Sequence, residues 1–124
     1  MLLVRTTVGP SAIHGLGVFA AEGVEAGQGV WEFAPGIDLV IPAERLATLP
    51  AAFRAFLDTY GYRSPEYPDG SLVLSCDNAK YLNHSEHPNC ESSGPFNRAL
   101  RPIKAGEEIT CDYRACVQGW TGFD

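Results

Sequence analysis

The chain has 124 residues, enough for one domain with a buried core and little room for a second module. With 45% hydrophobic and 19% charged residues it is not composed like a disordered tail, and no apolar run approaches the roughly 18–20 residues of a membrane span. Nine basic against fifteen acidic side chains give a net charge of −6, which argues against a phosphate-backbone binder and suits either a cationic partner or simple solubility.

The first residues, Met1-Leu2-Leu3-Val4-Arg5, have too short an apolar run for a signal peptide and no small-residue cleavage site, so they read as the start of a strand. An intracellular location is expected: the cytoplasm if the source is a bacterium, or the nucleus if it is eukaryotic or viral. Val4 to Val8 is β-branched and extended, and Gly9-Pro10-Ser11 breaks it. Gly15 to Ala20 reads as a turn entering a strand, Val24 to Gly29 as a turn, Val30 to Phe33 as a half-buried strand, and Ile37 to Ile41 as another. From Pro42 to Tyr60, Leu46, Leu49, Phe53, Phe56 and Leu57 recur at mostly helical spacing, and Pro50 divides the stretch into a short and a longer helix. Residues 61–70, rich in Gly and Pro, read as a loop, Ser71 to Leu74 as a strand, and Asp77 to Leu82 as a helical turn. Arg98 to Pro102 and Glu108 to Cys111 read as strands around the turn Lys104 to Glu107. The last ten residues hold Trp120 and Phe123 without periodicity. The expectation is a single mostly-β domain with one helical insert at about residues 42–70 and a short tail over 114–124.

Three segments carry candidate chemistry: His14-Gly15-Leu16-Gly17-Val18-Phe19, Tyr81 to Cys90, and Gly106 to Tyr113. Each alone has a plain structural reading. Gly-x-Gly makes tight turns, Asn and Ser beside Pro bond their own backbone, and a Tyr at a strand end commonly packs with its hydroxyl near water. The four cysteines, at 76, 90, 111 and 116, include no Cys-x-x-Cys pair and are expected to be reduced thiols. His84-x-x-His87-x-x-Cys90 has zinc-ligand residue types but contains Pro88 and lacks paired knuckles.

Together, in this order, the motifs resemble the SET-domain family of protein lysine methyltransferases. The matching segments are Gly15-Leu16-Gly17-Val18-Phe19-Ala20, Gly27-Gln28-Gly29-Val30-Trp31-Glu32-Phe33, Asn83-His84-Ser85-Glu86-His87-Pro88-Asn89 and Gly106-Glu107-Glu108-Ile109-Thr110-Cys111-Asp112-Tyr113. The resemblance implies a fold of short β-sheets with a knot-like C-terminal segment, which would bring the Asn-His and Tyr motifs into one site. It also implies S-adenosylmethionine as cofactor and the ε-amine of a protein lysine as acceptor, in a histone or another basic protein. By the same resemblance, the Gly15–Gly17 loop, with His14 and Leu16, would approach the cofactor where a Cβ would not fit. Asn83 and His84 would hold it by backbone and side-chain hydrogen bonds; in place of the cysteine-rich tail of many members, Trp120 and Phe123 of this chain are expected to cover the cofactor pocket by stacking. Tyr113 would be the catalytic residue where cofactor pocket meets lysine channel, with Tyr60 or Tyr62 as a second channel aromatic and Phe33 and Cys111 lining the channel.

The chain departs from the family pattern in two places. Glu86 stands where many members have a zinc-binding Cys, and only Cys116 lies beyond Tyr113, so the tail zinc site of those members is expected to be absent and no metal is expected. Cys111 stands where Phe or Tyr is usual, and its smaller side chain implies room for two or three methyl groups. Two other readings compete: a SET fold that binds cofactor or peptide without turnover, and a small zinc-binding interaction module using Cys76, His84, His87 and Cys90. Beyond the lysine-bearing protein, no nucleic acid or membrane partner is expected, and the small size suggests a homodimer that completes the channel.

Overall fold

In a computed structural model, which describes residues 1–117 and Gly119, the chain folds into four small sheets with short helical segments between them. Strands β1 (Thr6–Pro10) and β2 (Leu16–Ala20) form an antiparallel hairpin in which Thr6 faces Ala20 and Pro10 faces Leu16. A second sheet has β3 (Gly29–Glu32) beside β9 (Phe96–Ala99), which pairs in turn with β8 (Cys90–Ser93). In a third, β4 (Leu39–Ile41) and β5 (Tyr62–Arg63) flank β6 (Leu72–Leu74). The fourth is a two-residue parallel pair, β7 (Asn83–His84) with β10 (Thr110–Cys111). Among the described residues no helix is long and apolar enough to cross a membrane.

The helical insert follows the spacing of its apolar residues. Helix α1 (Ala43–Leu46) and helix α2 (Ala51–Tyr60) are separated at Pro50, which stands at the N-cap of α2, where a missing N–H breaks no helical bond. Leu57 is the buried anchor of α2, and the Gly61 N–H bonds its carbonyl at 2.8 Å to close the helix. Asp77 caps the 3-10 turn Asn78–Tyr81 by accepting the Ala79 N–H at 3.0 Å, and its second oxygen takes the Leu2 N–H at 2.7 Å. That bond, with the bridge between Leu2 and Trp31, ties the N-terminal segment to the middle of the chain.

Several boundaries differ from those read in the sequence, for local reasons. The first regular strand begins at Thr6 and runs through Pro10, because proline is tolerated at the end of an edge strand. Loop 61–70 contains β5, whose two residues are too few to show a period. The strand read at Arg98 to Pro102 is Phe96–Ala99, folded back on the unforeseen β8 by a turn at Gly94-Pro95. Its alternation is masked because a polar residue, Asn97, takes an inward position. The stretch after Asp112 forms a short helix, α3 (Tyr113–Cys116), with Asp112 Oδ1 accepting the Arg114 N–H at 2.9 Å.

One core runs through these sheets, centred on Val18, Val30, Ile103 and Ile109, none more than 1% exposed. The strand-like segment 103–111 crosses it: Ile103 bridges to Val24, Glu108 to Phe19, and Thr110–Cys111 then enters the pairing with Asn83–His84. Asn89 brackets this crossing from the side. Its Oδ1 accepts the Thr110 N–H at 2.8 Å and its Nδ2 donates to the Glu108 carbonyl at 2.7 Å. With 2% of its surface exposed, Asn89 leaves those backbone groups no water to turn to. Asn89→Ala should therefore cost about 3 kcal/mol of stability by stranding both groups, read as a lower urea midpoint at unchanged slope.

Candidate active site

The first motif forms the loop between β1 and β2. Gly15 has φ +48°, a backbone conformation that favours glycine, and a Cβ built on it would meet nothing within 4 Å. Gly17 lacks a side chain for a different reason. A Cβ there would lie 2.6 Å from Glu108 Oε2 and 3.0 Å from the Ser11 Cβ. A side chain at Gly17 would thus run into the chain's own Glu108 carboxylate.

Glu108 and Asn83 together hold this loop. The Ser11 hydroxyl donates to the Glu108 carboxylate at 2.8 Å, and the Asn83 amide lies 3.1 Å from Glu108 Oε2. The same Asn83 Nδ2 is 3.0 Å from the carbonyl of His14 and 3.0 Å from that of Leu16. Both flanks of Gly15 are therefore pinned by one buried amide. The Ser11 hydroxyl also accepts the Ile13 N–H at 2.9 Å, which closes the turn from its other side. Sequence motifs gave no signal for Ser11.

The third motif meets the second through Tyr113. Its N–H donates to His84 Nδ1 at 3.0 Å and its hydroxyl donates to the Leu82 carbonyl. Burial, then the neighbouring Cys111, Cys116 and Glu108, push the hydroxyl far above the ordinary tyrosine range, so it stays a donor at any physiological pH. The His84 ring packs against that of Tyr113, with centroids 5.7 Å apart.

These parts open on one cavity of about 750 Å³. His14, Gly15, Leu16 and Asn83 line one end, with Tyr81 and Leu82 beside them. Tyr113, Cys111, Tyr62 and Tyr60 line the wall, and Trp31 and Phe33 contribute from β3 and the residue after it. Gly17 and His84 are not in the lining; they hold the pieces that are. The lining carries few charged side chains (Asp58, Glu66 and Lys80) amid aromatic and apolar surface.

A SET-domain family profile matches residues 15–114, spanning the three motifs but for His14 at the start of the first. The chain belongs to the SET-domain family of lysine methyltransferases. In sequence, this SET domain is 30% identical to human histone-lysine N-methyltransferase 2B over 126 aligned positions, covering 87% of this chain and 4% of that protein. It is 32% identical to the Drosophila virilis histone-lysine N-methyltransferase trithorax, covering 84% of this chain and 3% of that protein. The chain thus spans only a small fraction of the length of these relatives. In structure it resembles a Plasmodium falciparum putative histone methyltransferase, with TM-score 0.60 and 22% identity, covering 90% of this chain and 95% of that one. It also resembles the Chaetomium thermophilum Polycomb Repressive Complex 2 in an autoinhibited conformation bound to S-adenosylmethionine, with TM-score 0.66 and 22% identity, over 94% of this chain and 16% of that one. These structural likenesses speak for the fold.

Within this SET domain the two insert tyrosines have separate surroundings. Tyr60 packs edge-on against Tyr81, centroids 5.2 Å apart, and against Phe56 at 5.0 Å. Tyr62 lines the same cavity, and its hydroxyl is raised well above the ordinary tyrosine range by burial and then by Cys116, Asp38 and Cys111. Phe33 meets Tyr67 with ring centroids 6.1 Å apart. Trp120 and Phe123 lie outside the described residues. Cys76, His84, His87 and Cys90 do not form a ligand set: among the described residues no three His, Cys, Asp or Glu side chains converge.

The Gly17–Glu108 contact yields a direct check. Gly17→Ala should cost about 1–3 kcal/mol by forcing the carboxylate aside. In a Glu108→Ala background the same change should cost well under half as much, giving a clear coupling energy in a double-mutant cycle of urea midpoints.

Proposed function

We propose that this domain transfers a methyl group from S-adenosylmethionine to the ε-amine of a lysine in a protein substrate. The observation that carries this reading is the convergence of a pinned glycine loop, Asn83, and the hydroxyl-bearing Tyr113 and Tyr62 on a single cavity. At about 750 Å³ the cavity has room for a nucleoside-sized molecule together with the end of a long side chain. The open space beside Gly15 suits a ligand seated against the loop backbone.

The residues present fit the cofactor. His14, Gly15, Leu16 and Asn83 would hold it at the loop end, with Tyr113 at its reactive end. When bound, it supplies an electrophilic methyl carried by a sulfonium. The protein's own part is alignment and dehydration. Tyr113 is fixed at both its N–H and its hydroxyl, so its ring presents a constant surface beside the reacting position. An ammonium entering past Tyr62 and Trp31 leaves water for a largely apolar wall, which lowers its pKa and favours the neutral, nucleophilic amine. Holding reactants at contact distance accounts for several kcal/mol of rate enhancement without a strong base.

The substrate reading follows from charge and from the relatives. A net charge of −6, with Asp58 and Glu66 in the cavity lining, favours a cationic segment. The human and Drosophila relatives are named as histone-lysine methyltransferases, and a histone or another lysine-rich basic protein is the acceptor we propose here. Cys111, small and 3% exposed, leaves more volume than a ring would at that position, which favours two or three methyl groups per lysine.

Labelled S-adenosylmethionine supplied with histones or a basic protein extract tests the reading. Wild type should label a protein lysine, and Tyr113→Phe should lower the rate about 100-fold while still binding cofactor by calorimetry. Cofactor binding without labelling of any protein would instead make the domain a binder without turnover. Cys111→Phe should shift the product, read by mass spectrometry, from di- and trimethyl-lysine toward monomethyl-lysine.

A further inference from the structure

Strand β9 runs between β3 and β8, and the pairing sets three polar side chains in one row. Trp31 of β3 stands opposite Asn97, and Ser92 of β8 stands opposite it on the other side. Directly paired residues of antiparallel strands share a face of the sheet. Trp31 Nε1 and Ser92 Oγ are both buried with no hydrogen-bond partner. Asn97 is 6% exposed, and among the described residues no hydrogen bond engages its amide. Asn97 and Trp31 both line the cavity, so the free amide in the middle of the row opens on it. Of the other buried polar residues in the lining, Asn83 donates to the glycine loop and Ser64 accepts the Glu66 N–H at 3.2 Å. Only Ser75, one residue past β6, resembles Asn97 in having no such bond. Trp31 belongs to the core cluster that holds Cys111, and Tyr113 packs against that cluster. The row thus joins the same body of packing that carries Cys111 and Tyr113. Unmet polar groups in a protein interior cost stability, and packing alone would favour an apolar residue at position 97.

We propose that the Asn97 side-chain carbonyl binds the acceptor amine, taking one of its N–H groups and so selecting amines by the hydrogens they still carry. This rests on the methyl-transfer reading above. An amine that enters a largely aromatic wall loses its water, and its N–H groups need acceptors there. Neither atom of the Asn97 amide is engaged, so its oxygen can turn to the amine without breaking a bond. Fixing one N–H also fixes the direction of the nitrogen lone pair. Once methyl groups replace the hydrogens the bond is lost, so unmodified lysine is held and trimethyl-lysine is let go. The room beside Cys111 and the bond to Asn97 act at different stages: one admits the methyl groups, the other releases the finished amine.

Nα-acetyl-lysine methylamide and its trimethyl-lysine counterpart are titrated into the protein with S-adenosylhomocysteine present, and their dissociation constants are read from NMR shifts. The ratio of the trimethyl to the unmodified constant should fall about tenfold in Asn97→Leu, the worth of one hydrogen bond to a charged group. Asn97→Asp, which keeps an oxygen acceptor, should hold the ratio at or above that of wild type. Asn97→Leu should also unfold at the same or a higher urea concentration than wild type, since the amide has no bond to lose. A purely structural asparagine would give the opposite shift. A ratio unchanged in Asn97→Leu overturns the proposal, as does one that moves only in Ser75→Ala, and so does a lower urea midpoint for Asn97→Leu. Those three results leave the methyl-transfer reading standing. Failure of wild type to bind either compound would take the lysine-binding reading down together with the proposal.

Discussion

A parallel ladder of two residues, Asn83–His84 with Thr110–Cys111, joins segments 27 positions apart, and the site depends on that junction. Such a short ladder cannot hold itself, because closing so long a loop costs more entropy than its few hydrogen bonds return. The junction is held instead by contacts around it. Asn89 binds the backbone on the incoming side, the Ser85 N–H donates to the Cys111 carbonyl at 3.0 Å, and Tyr113 is bonded by its N–H to His84 and by its hydroxyl to Leu82. Each of these groups belongs to one of the two motifs. The residues that look functional in the sequence are in large part the residues that build the junction.

This explains how much was legible beforehand and where the reading stopped. Helix and turn positions followed from Pro50, Asp77 and the apolar spacing of Phe53, Phe56 and Leu57, since these act locally. The β8–β9 hairpin escaped because its inward residues are Cys90, Asn97 and Ala99, and a buried asparagine breaks the alternation that would reveal a strand. Gly15 and Gly17 look alike in sequence but answer to unlike constraints, one to backbone conformation and one to the Glu108 carboxylate. Nothing near Gly17 in the chain announces a partner ninety-one positions away. Asn83 and His84 were read as cofactor ligands. Their side chains are occupied with the loop and with Tyr113, so anything they offer a ligand directly comes from the atoms left over.

The division between wall and support has a chemical consequence. Behind the loop end of the cavity, Glu108 bonds Ser11 and Asn83, and Asn89 bonds the Glu108 backbone. The wall itself is rich in aromatic rings, with Asp58, Glu66 and Lys80 among its charged side chains. A reaction that needs a general base would want a carboxylate at the reacting position itself; alkylation of a neutral amine does not. What it needs is an unyielding surface that excludes water, and a network of satisfied hydrogen bonds behind the wall supplies the stiffness.

Cys111 occupies the point where these demands meet. It lies on the strand of the junction, faces the cavity, and has the Tyr113 helix starting two residues later. A large ring there would narrow the cavity beside Tyr113. Because Cys111 also belongs to the buried core that holds Val18 and Ile109, a larger side chain there would press on the packing that holds the junction as well as on the cavity wall, so the size of this one residue answers to both.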